Sequence, residues 1–376
     1  MTEKRTLFKH KNDMEKSRSN IKTFSHQQLE QLMAESGEPR FRARQLHRWL
    51  YSDRAGSFDE MTTLSGKLRQ KLDRNYALPS CSIASANSEK KQAPAGATRK
   101  FLVRLHDGQA VESVLIPKTD PRTGQGIRST VCVSVQVGCG LDCTFCATAR
   151  MGFTRNLTAA EMAEQVYLLA DLAAEDPQIP PVTNVVFMGM GEPMQNLEQV
   201  IEATKLLSME GYRFSLSQRR ITISTVGLTP GIRKLAESGL TCKLAVSLHH
   251  ASQEQRAAMM PIATTYPLDA LSDAIHFYAK ATGQPVTIVY MLIKGVNDNA
   301  EDARRLARYC NGFYCKINLI DYNAIINIKF ESSEEERRQL FIKTLVDAGH
   351  SVTVRRSQGA SIDAACGQLA LRNNKG

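Results

Sequence analysis

The sequence predicts an α/β fold: a partial barrel of about six parallel strand–helix units, with a small N-terminal helical domain and a β-hairpin extension ahead of it. Two observations predict it. From Val131 onward, short β-branched runs alternate with helical stretches, which is the pattern of parallel βαβ units. Between Phe24 and Tyr76, in contrast, apolar residues recur at helical spacing. About six units are too few to close an eightfold barrel, so the site is expected at the C-terminal ends of the strands of an open one.

Residues 1–22 are polar, mixed in charge and without apolar periodicity, and read as a flexible basic tail. The helical domain takes residues 23–80. Ser25 with Gln28 forms a capping-box pattern, Leu29, Leu32 and Met33 share a face, and Gly37 with Pro39 ends the first helix. A second helix carries Phe41, Leu46, Trp49 and Leu50, and a third spaces Met61, Leu64, Leu68 and Leu72. Arg40, Arg42, Arg44, Arg48 and Lys67 make this domain basic, either as a solvated face or as a grip on RNA.

Residues 81–130 read as a linker, rich in Ser, Ala, Asn and Lys up to Thr98, followed by a hairpin of Phe101–Leu105 and Val111–Ile116 about a His106-Asp107-Gly108 turn. The barrel then takes residues 131–371. Its strands are predicted at Val131–Val137, Thr183–Phe187, Arg220–Ser224, Lys243–Ser247, Val286–Met291 and Lys316–Ile320, with helix caps at Thr158 (with Glu161) and Asn196 (with Gln199).

A chain of 376 residues, 42% of them hydrophobic, can bury a substantial core. No apolar run approaches the roughly 18 to 20 residues of a membrane span, and no apolar signal core follows Lys4, Arg5, Lys9 and Lys11, so a cytoplasmic protein is expected. Nine cysteines is an odd count for a disulfide framework, and three of them crowd together, which suits reduced thiolates on a metal. The net charge of +10 favours a polyanionic partner without separating RNA from DNA.

Cys139, Cys143 and Cys146 directly follow a predicted strand, flanked by Gly138 and Gly140. Structural zinc needs four protein ligands, and no fourth Cys or His lies near this loop. Three cysteines on a four-iron cluster would leave one iron open to a substrate. On the residues alone, an iron–sulfur cluster, a zinc site and three packed cysteines all remain open, with the cluster favoured.

Cys139-Gly-Leu-Asp-Cys143-Thr-Phe-Cys146 resembles the CxxxCxxC signature of the radical S-adenosylmethionine (SAM) superfamily. Within it, the chain from about residue 22 to 371 resembles the RlmN/Cfr group of dual-cysteine RNA methyltransferases. The resemblance is carried by Glu112-Ser-Val-Leu-Ile-Pro117, Cys132-Val-Ser-Val-Gln-Val-Gly-Cys139, Gly189-Met-Gly-Glu-Pro193, Ser247-Leu-His249 and Asp363-Ala-Ala-Cys366-Gly-Gln-Leu369. It implies a radical SAM barrel holding a [4Fe-4S] cluster on the three clustered cysteines, and two molecules of S-adenosyl-L-methionine used per turnover. By the same resemblance Cys366 is the methyl carrier, Cys132 resolves a protein–RNA adduct by forming a disulfide with Cys366, and Glu112 accepts a proton. Gly191 and Glu192 are expected at the amino group of S-adenosylmethionine, with Ser224, Ser247, Leu248, His249 and Asn323 at further cofactor positions.

The implied substrates are an adenosine of 23S rRNA in the peptidyl-transferase region and the adenosine beside the tRNA anticodon, with an external electron donor such as flavodoxin and a monomeric enzyme. Gly191-Glu192-Pro193 resembles the branch that methylates carbon 2, whereas the branch that methylates carbon 8 has alanine after that glutamate. Two segments depart from the family pattern: Ala324–Phe330, where a Pro/Gly-rich loop is usual, and Gln358–Asp363, which lacks an acidic residue common there. The target base is expected unstacked in the barrel mouth, with Arg122, Arg128, Arg155, Arg219 and Arg220 as candidates for phosphate contacts. A non-catalytic RNA-binding protein with a structural metal loop is the rival from another class, but it leaves Cys132, Glu112 and Cys366 without a reason.

Overall fold

Capping and apolar spacing start the helical domain where expected, as seen in a computed structural model that describes residues 18–371 except 79, 89–96, 121, 213, 327 and 356–358. Its helices are α1 (His26–Glu35), α2 (Phe41–Tyr51) and α3 (Gly66–Asn75), and Ser25 with Gln28 closes a reciprocal capping box. Met61 and Leu64 precede α3 rather than lying on it, yet both are buried with Leu68 and Leu72. The part of the expected tail that is described, residues 18–22, is packed. Ile21 is buried, and Lys22 pairs with Glu164 while its carbonyl accepts from the Tyr51 hydroxyl at 2.7 Å. Single contacts of this kind, an ion pair and one buried apolar side chain, leave no periodic pattern in residues 18–22. Residues 1–17 lie outside the described residues.

A short pair, Ser19–Asn20 with Tyr76–Ala77, closes the helical domain, and the main sheet begins with β1 (Ser82–Ser88), β2 (Arg99–Arg104) and β3 (Ala110–Thr119), paired as an antiparallel meander. β1 occupies sequence expected to be linker, because a sheet edge accepts small polar residues once a neighbour supplies the hydrogen bonds. β4 (Gly126–Cys132) pairs antiparallel with β3 and parallel with a later strand, so the hairpin is continuous with the barrel sheet.

The expected strand Val131–Val137 is interrupted after Cys132. Between β4 and the short β5 (Gln136–Gly138), Ser134 turns inward: its N–H donates to the Gln165 side chain at 2.9 Å and its hydroxyl to the Glu112 carbonyl at 2.6 Å. Side chains thus replace the ladder, and β5 pairs antiparallel with β6 (Phe153–Asn156) across the cysteine loop.

The parallel strands continue with β7 (Val182–Phe187), β8 (Ile221–Thr225), β9 (Lys243–Ser247), β10 (Val286–Leu292) and β11 (Cys315–Asp321), each within a residue or so of its predicted span. A seventh parallel strand, β12 (Val352–Arg355), was not expected; it is short and mostly exposed at the sheet edge, so it carries no strong apolar run. The sheet order is β12-β11-β10-β9-β8-β7-β4-β3-β2-β1, an open partial barrel with antiparallel strands on one flank.

Helices α4 (Ala159–Glu175), α5 (Leu197–Ser208), α6 (Thr229–Glu237), α7 (Gln253–Met259), α8 (Leu268–Thr282), α9 (Ala300–Cys310) and α10 (Glu335–Asp347) connect the parallel strands. Thr158 and Glu161 cap α4 as predicted. The Asn196 side chain does not cap α5: its amide donates to the carbonyls of Val135 and Leu157, at 2.9 and 2.8 Å, and so ties the segment after β4 to the start of α4. No helix among the described residues is long and apolar enough to cross a membrane.

The helical domain docks on α4. Arg54 pairs with Asp171 and lies over the Tyr167 ring, and His47 Nδ1 meets the Tyr212 hydroxyl at 2.8 Å.

Candidate active site

The cysteine loop leaves β5 through Gly138, whose positive φ and lack of a side chain are both required: a Cβ there would lie 1.8 Å from the Gly152 carbonyl oxygen. Cys139 N–H donates to that same carbonyl at 2.8 Å, closing the loop. Cys139, Cys143 and Cys146 line one side of a cavity of about 160 Å³ at the C-terminal ends of the parallel strands. Burial raises the Cys139 thiol to about 11 and pushes Cys143 up strongly, and each also feels its neighbours' sulfurs. Mutual repulsion of this kind is relieved by shared cationic metal. Among the described residues, no three His, Cys, Asp or Glu side chains converge as ligands of a single ion. In a four-iron cluster each thiolate reaches its own iron, so the three thiols suit such a cluster and leave one iron without a protein ligand.

Facing the cysteines is the turn after β7. Gly191 has φ +96°, and a Cβ there would strike the Gln136 side chain at 2.5 Å. The turn places the Glu192 carboxylate in the cavity wall, where its two oxygens accept from the N–H groups of Met194 and Val226, both at 3.0 Å. Burial raises its pKa to about 7 against those hydrogen bonds. A buried carboxylate of this kind offers a counter-charge to an ammonium group.

Ser224, Ser247 and His249 complete the wall at the strand ends. His249 has φ +56°, packs edge-on against Phe145 at 4.8 Å, and accepts the Met291 N–H on Nδ1 at 3.1 Å. That bond places the ring proton on Nε2, and burial, with Arg256 nearby, lowers the pKa to about 3, so the imidazole is neutral. Leu248 is fully buried and Asn323 holds the chain of Cys366, its amide donating to the Cys366 carbonyl at 3.2 Å; neither lines this cavity.

Cys366 enters from the C-terminal segment, which is tied to the cysteine loop. Ala147 N–H donates to the Gly367 carbonyl at 2.7 Å and the Thr148 hydroxyl to the Leu369 carbonyl at 2.6 Å. Cys366 lines both the main cavity and a small adjoining chamber of about 40 Å³ whose walls include Cys132, Ile116, Val186, Met188 and Arg355. Burial pushes the Cys132 thiol up to about 12, and the Cys366 sulfur adds to the rise while Arg355 opposes it. The two sulfurs, far apart in sequence, therefore share one small space; neither is in a disulfide.

Glu112 is buried at 6% exposure, not free on a hairpin. It pairs with Lys100 at 3.0 Å and accepts the Ala370 N–H at 2.9 Å, and burial outweighs these contacts to raise its pKa. It does not line either chamber. Lys100 also donates to the Asp363 carbonyl at 3.2 Å, so one ion pair grips the reactive segment on both sides of Cys366.

The comparisons with known proteins agree with this site. A sequence model of the radical SAM superfamily matches residues 133–307, and one of the ribosomal RNA large subunit methyltransferase N-terminal domain matches residues 19–78. The chain is 54% identical to a probable dual-specificity RNA methyltransferase RlmN of Chlorobium phaeobacteroides (strain BS1), covering 96% of this chain and 97% of that one. The chain belongs to the RlmN family. It is also 50% identical to the RlmN of Chlorobaculum tepidum, over 94% of each chain. A crystal structure of a radical SAM methyltransferase from Sphaerobacter thermophilus, 40% identical, superposes with a TM-score of 0.82 over 93% of this chain and 99% of that one.

As an RlmN family member the protein is a radical SAM RNA methyltransferase that uses a [4Fe-4S] cluster and S-adenosylmethionine, and it needs a reductant. The rival of a non-catalytic RNA binder falls with that assignment. Several residues of the RlmN site escaped the sequence reading. Thr148 and Gln136 act through hydrogen bonds to segments distant in sequence. Lys100 was legible in principle: in the register of β2 and β3 it stands diagonal to Glu112 on the same face, where opposite charges meet. Among the expected phosphate contacts, Arg155 is instead neutralised within the fold by Asp107 and Glu161.

Proposed function

We propose that this chain methylates carbon 2 of an adenosine in the peptidyl-transferase region of 23S rRNA, and of the adenosine beside the tRNA anticodon, with Cys366 as methyl carrier and Cys132 as the releasing thiol. The observation that carries the reading is the position of Cys366, in the wall of both the cofactor cavity and the chamber that holds Cys132. Its relatives are named dual-specificity RNA methyltransferases.

Carbon 2 of adenine is electron-poor and unactivated, so polar methyl transfer does not reach it. Bound at the open iron, S-adenosylmethionine supplies an electrophilic methyl group and, on one-electron reduction, a 5′-deoxyadenosyl radical. Cys139, Cys143 and Cys146 hold the cluster, and Glu192, with the turn at Gly191, holds the cofactor's ammonium. Ser224, Ser247 and the neutral His249 line the cofactor, while Leu248 and Asn323 support it from behind, through the backbone at 248 and the Cys366 segment at 323.

The Cys366 thiolate would displace the methyl group from the sulfonium, the S-methyl group would give one hydrogen atom to the deoxyadenosyl radical, and its carbon would bond to the adenine ring. Glu112 would accept the ring proton, with Cys132 assisting, and the odd electron of the adduct would pass back to the cluster. The Cys132 thiolate would then attack the Cys366 sulfur, forming a disulfide and breaking the sulfur–carbon bond, and the released carbon would take up a proton to leave methylated RNA. The enzyme works as a monomer in the cytoplasm, where thiols are kept reduced, with a flavodoxin-type electron donor.

The test is anaerobic reaction of reconstituted enzyme with unmodified 23S rRNA and tRNA, S-adenosylmethionine and reductant, followed by digestion and mass spectrometry against standards. 2-Methyladenosine from both RNAs is expected. 8-Methyladenosine, or no methyladenosine at all, overturns the reading.

A further inference from the structure

The chamber that holds Cys132 and Cys366 abuts a further space on its other side. Ile116, Val186 and Arg355 line the chamber and also line a basin of about 750 Å³ that lies away from the cysteine loop. The remaining basin walls include Lys118, Arg128, Thr130 and Arg338. Neighbouring strands supply alternate residues, 116 and 118 from β3, 128 and 130 from β4, 184 and 186 from β7, and the far edge strand β12 supplies 353–355. Period-two alternation puts Arg128 and Cys132 on one face of β4, about 13 Å apart along the strand. Shared walls place the three spaces in series, with the cysteine loop at one end, Cys132 and Cys366 in the middle and the basin at the other end.

The basin's charge is lopsided. Four cations, Lys118, Arg128, Arg338 and Arg355, face a single carboxylate, Glu335. Arg338 is already committed to Asp321 and Glu335. Lys118, Arg128 and Arg355 make no ion pair with any described residue. Uncompensated cations round a concave opening are what a polyphosphate chain neutralises, and the contrast with Arg155, bound internally to Asp107 and Glu161, sets these three apart.

We infer that this basin is the docking site of the RNA backbone, with Lys118, Arg128 and Arg355 on phosphates flanking the target, and that the adenine enters the cysteine chamber from this end. This inference rests on the proposed RNA methylation. It follows from the order of these spaces: a base arriving through the basin meets Cys132 and Cys366 without displacing the cofactor, which lies beyond Cys366. A flipped base needs its flanking phosphates held outside the chamber, and the basin supplies that hold.

The test uses the reconstituted holoenzyme with a 23S rRNA fragment, comparing wild type with Lys118→Ala/Arg128→Ala and with Arg128→Lys. Direct binding across a salt series and the KM for RNA are both measured. The double variant should raise the KM about tenfold or more and flatten the slope of log affinity against log salt by about 0.7 to 0.9 per lost contact, while Arg128→Lys keeps most of both. Unchanged affinity and slope in the double variant overturn the docking site, because the binding measurement stands whether or not turnover occurs. Wild-type enzyme that binds this RNA but makes no methyladenosine counts instead against the proposed function.

Discussion

Glu112 accepts the backbone N–H of Ala370 at 2.9 Å, across 258 positions of sequence, while its other oxygen pairs with Lys100 at 3.0 Å. A hairpin strand thereby holds the segment that presents Cys366. Glu112→Gln leaves Lys100 buried without its counter-charge, and removing one partner of a buried pair costs about 3–5 kcal/mol. We expect urea denaturation to show a loss of that order and RNA methylation to fall by about 100-fold or more, as for a displaced acid–base group. A Glu112→Gln enzyme with wild-type stability and rate would remove both roles.

The shared chamber separates the two cysteines by consequence. Cys132→Ala should let the carbon–carbon bond form and block release, trapping RNA on the protein as a covalent adduct visible by denaturing gel and intact mass. Cys366→Ala should show neither adduct nor methylated RNA. Free methylated RNA from Cys366→Ala would exclude the carrier role.

At Gly138 the cluster loop admits no side chain. Alanine must tolerate a left-handed backbone, at about 1–2 kcal/mol, and in addition displace the Gly152 carbonyl that its Cβ would approach to 1.8 Å. Gly138→Ala should therefore bind less iron and sulfide per chain after reconstitution than wild type, while Gly108→Ala, which has open space at its turn, should bind as much.

His47 ties the helical domain to the barrel through Tyr212, and burial, helped by His26, lowers its pKa to about 4. The unfolded chain protonates it near 6.5, so between about pH 6.5 and 4 the unfolded state binds more protons and stability rises with pH. On acidification the protein should lose up to about 3 kcal/mol from this group across that window. Denaturation at pH 7.5 and pH 5 should show a smaller pH-dependent loss in His47→Gln than in wild type; equal losses would free His47 from that role.

Local sequence determined a large part of this molecule. Caps at Ser25 and Thr158 start helices because side chain and backbone satisfy each other within one turn, and runs such as Val286–Leu292 read as strands because both of their faces are buried. Cys139, Cys143 and Cys146 were legible as one ligand set because seven or so residues of loop can wrap one cluster. Tertiary structure alone decided the rest. Val131–Val137 breaks at Ser134 because Gln165, a helix away, offers its backbone better partners than another strand does. Asn196 gives up its cap for the carbonyls of Val135 and Leu157, which are distant in sequence. Residues 82–88 become a strand, and 352–355 a seventh parallel one, only because a sheet edge is there to pair with. The meeting of Cys132 with Cys366, and of Glu112 with Ala370, depends on long-range hydrogen bonds and burial, which no local pattern encodes.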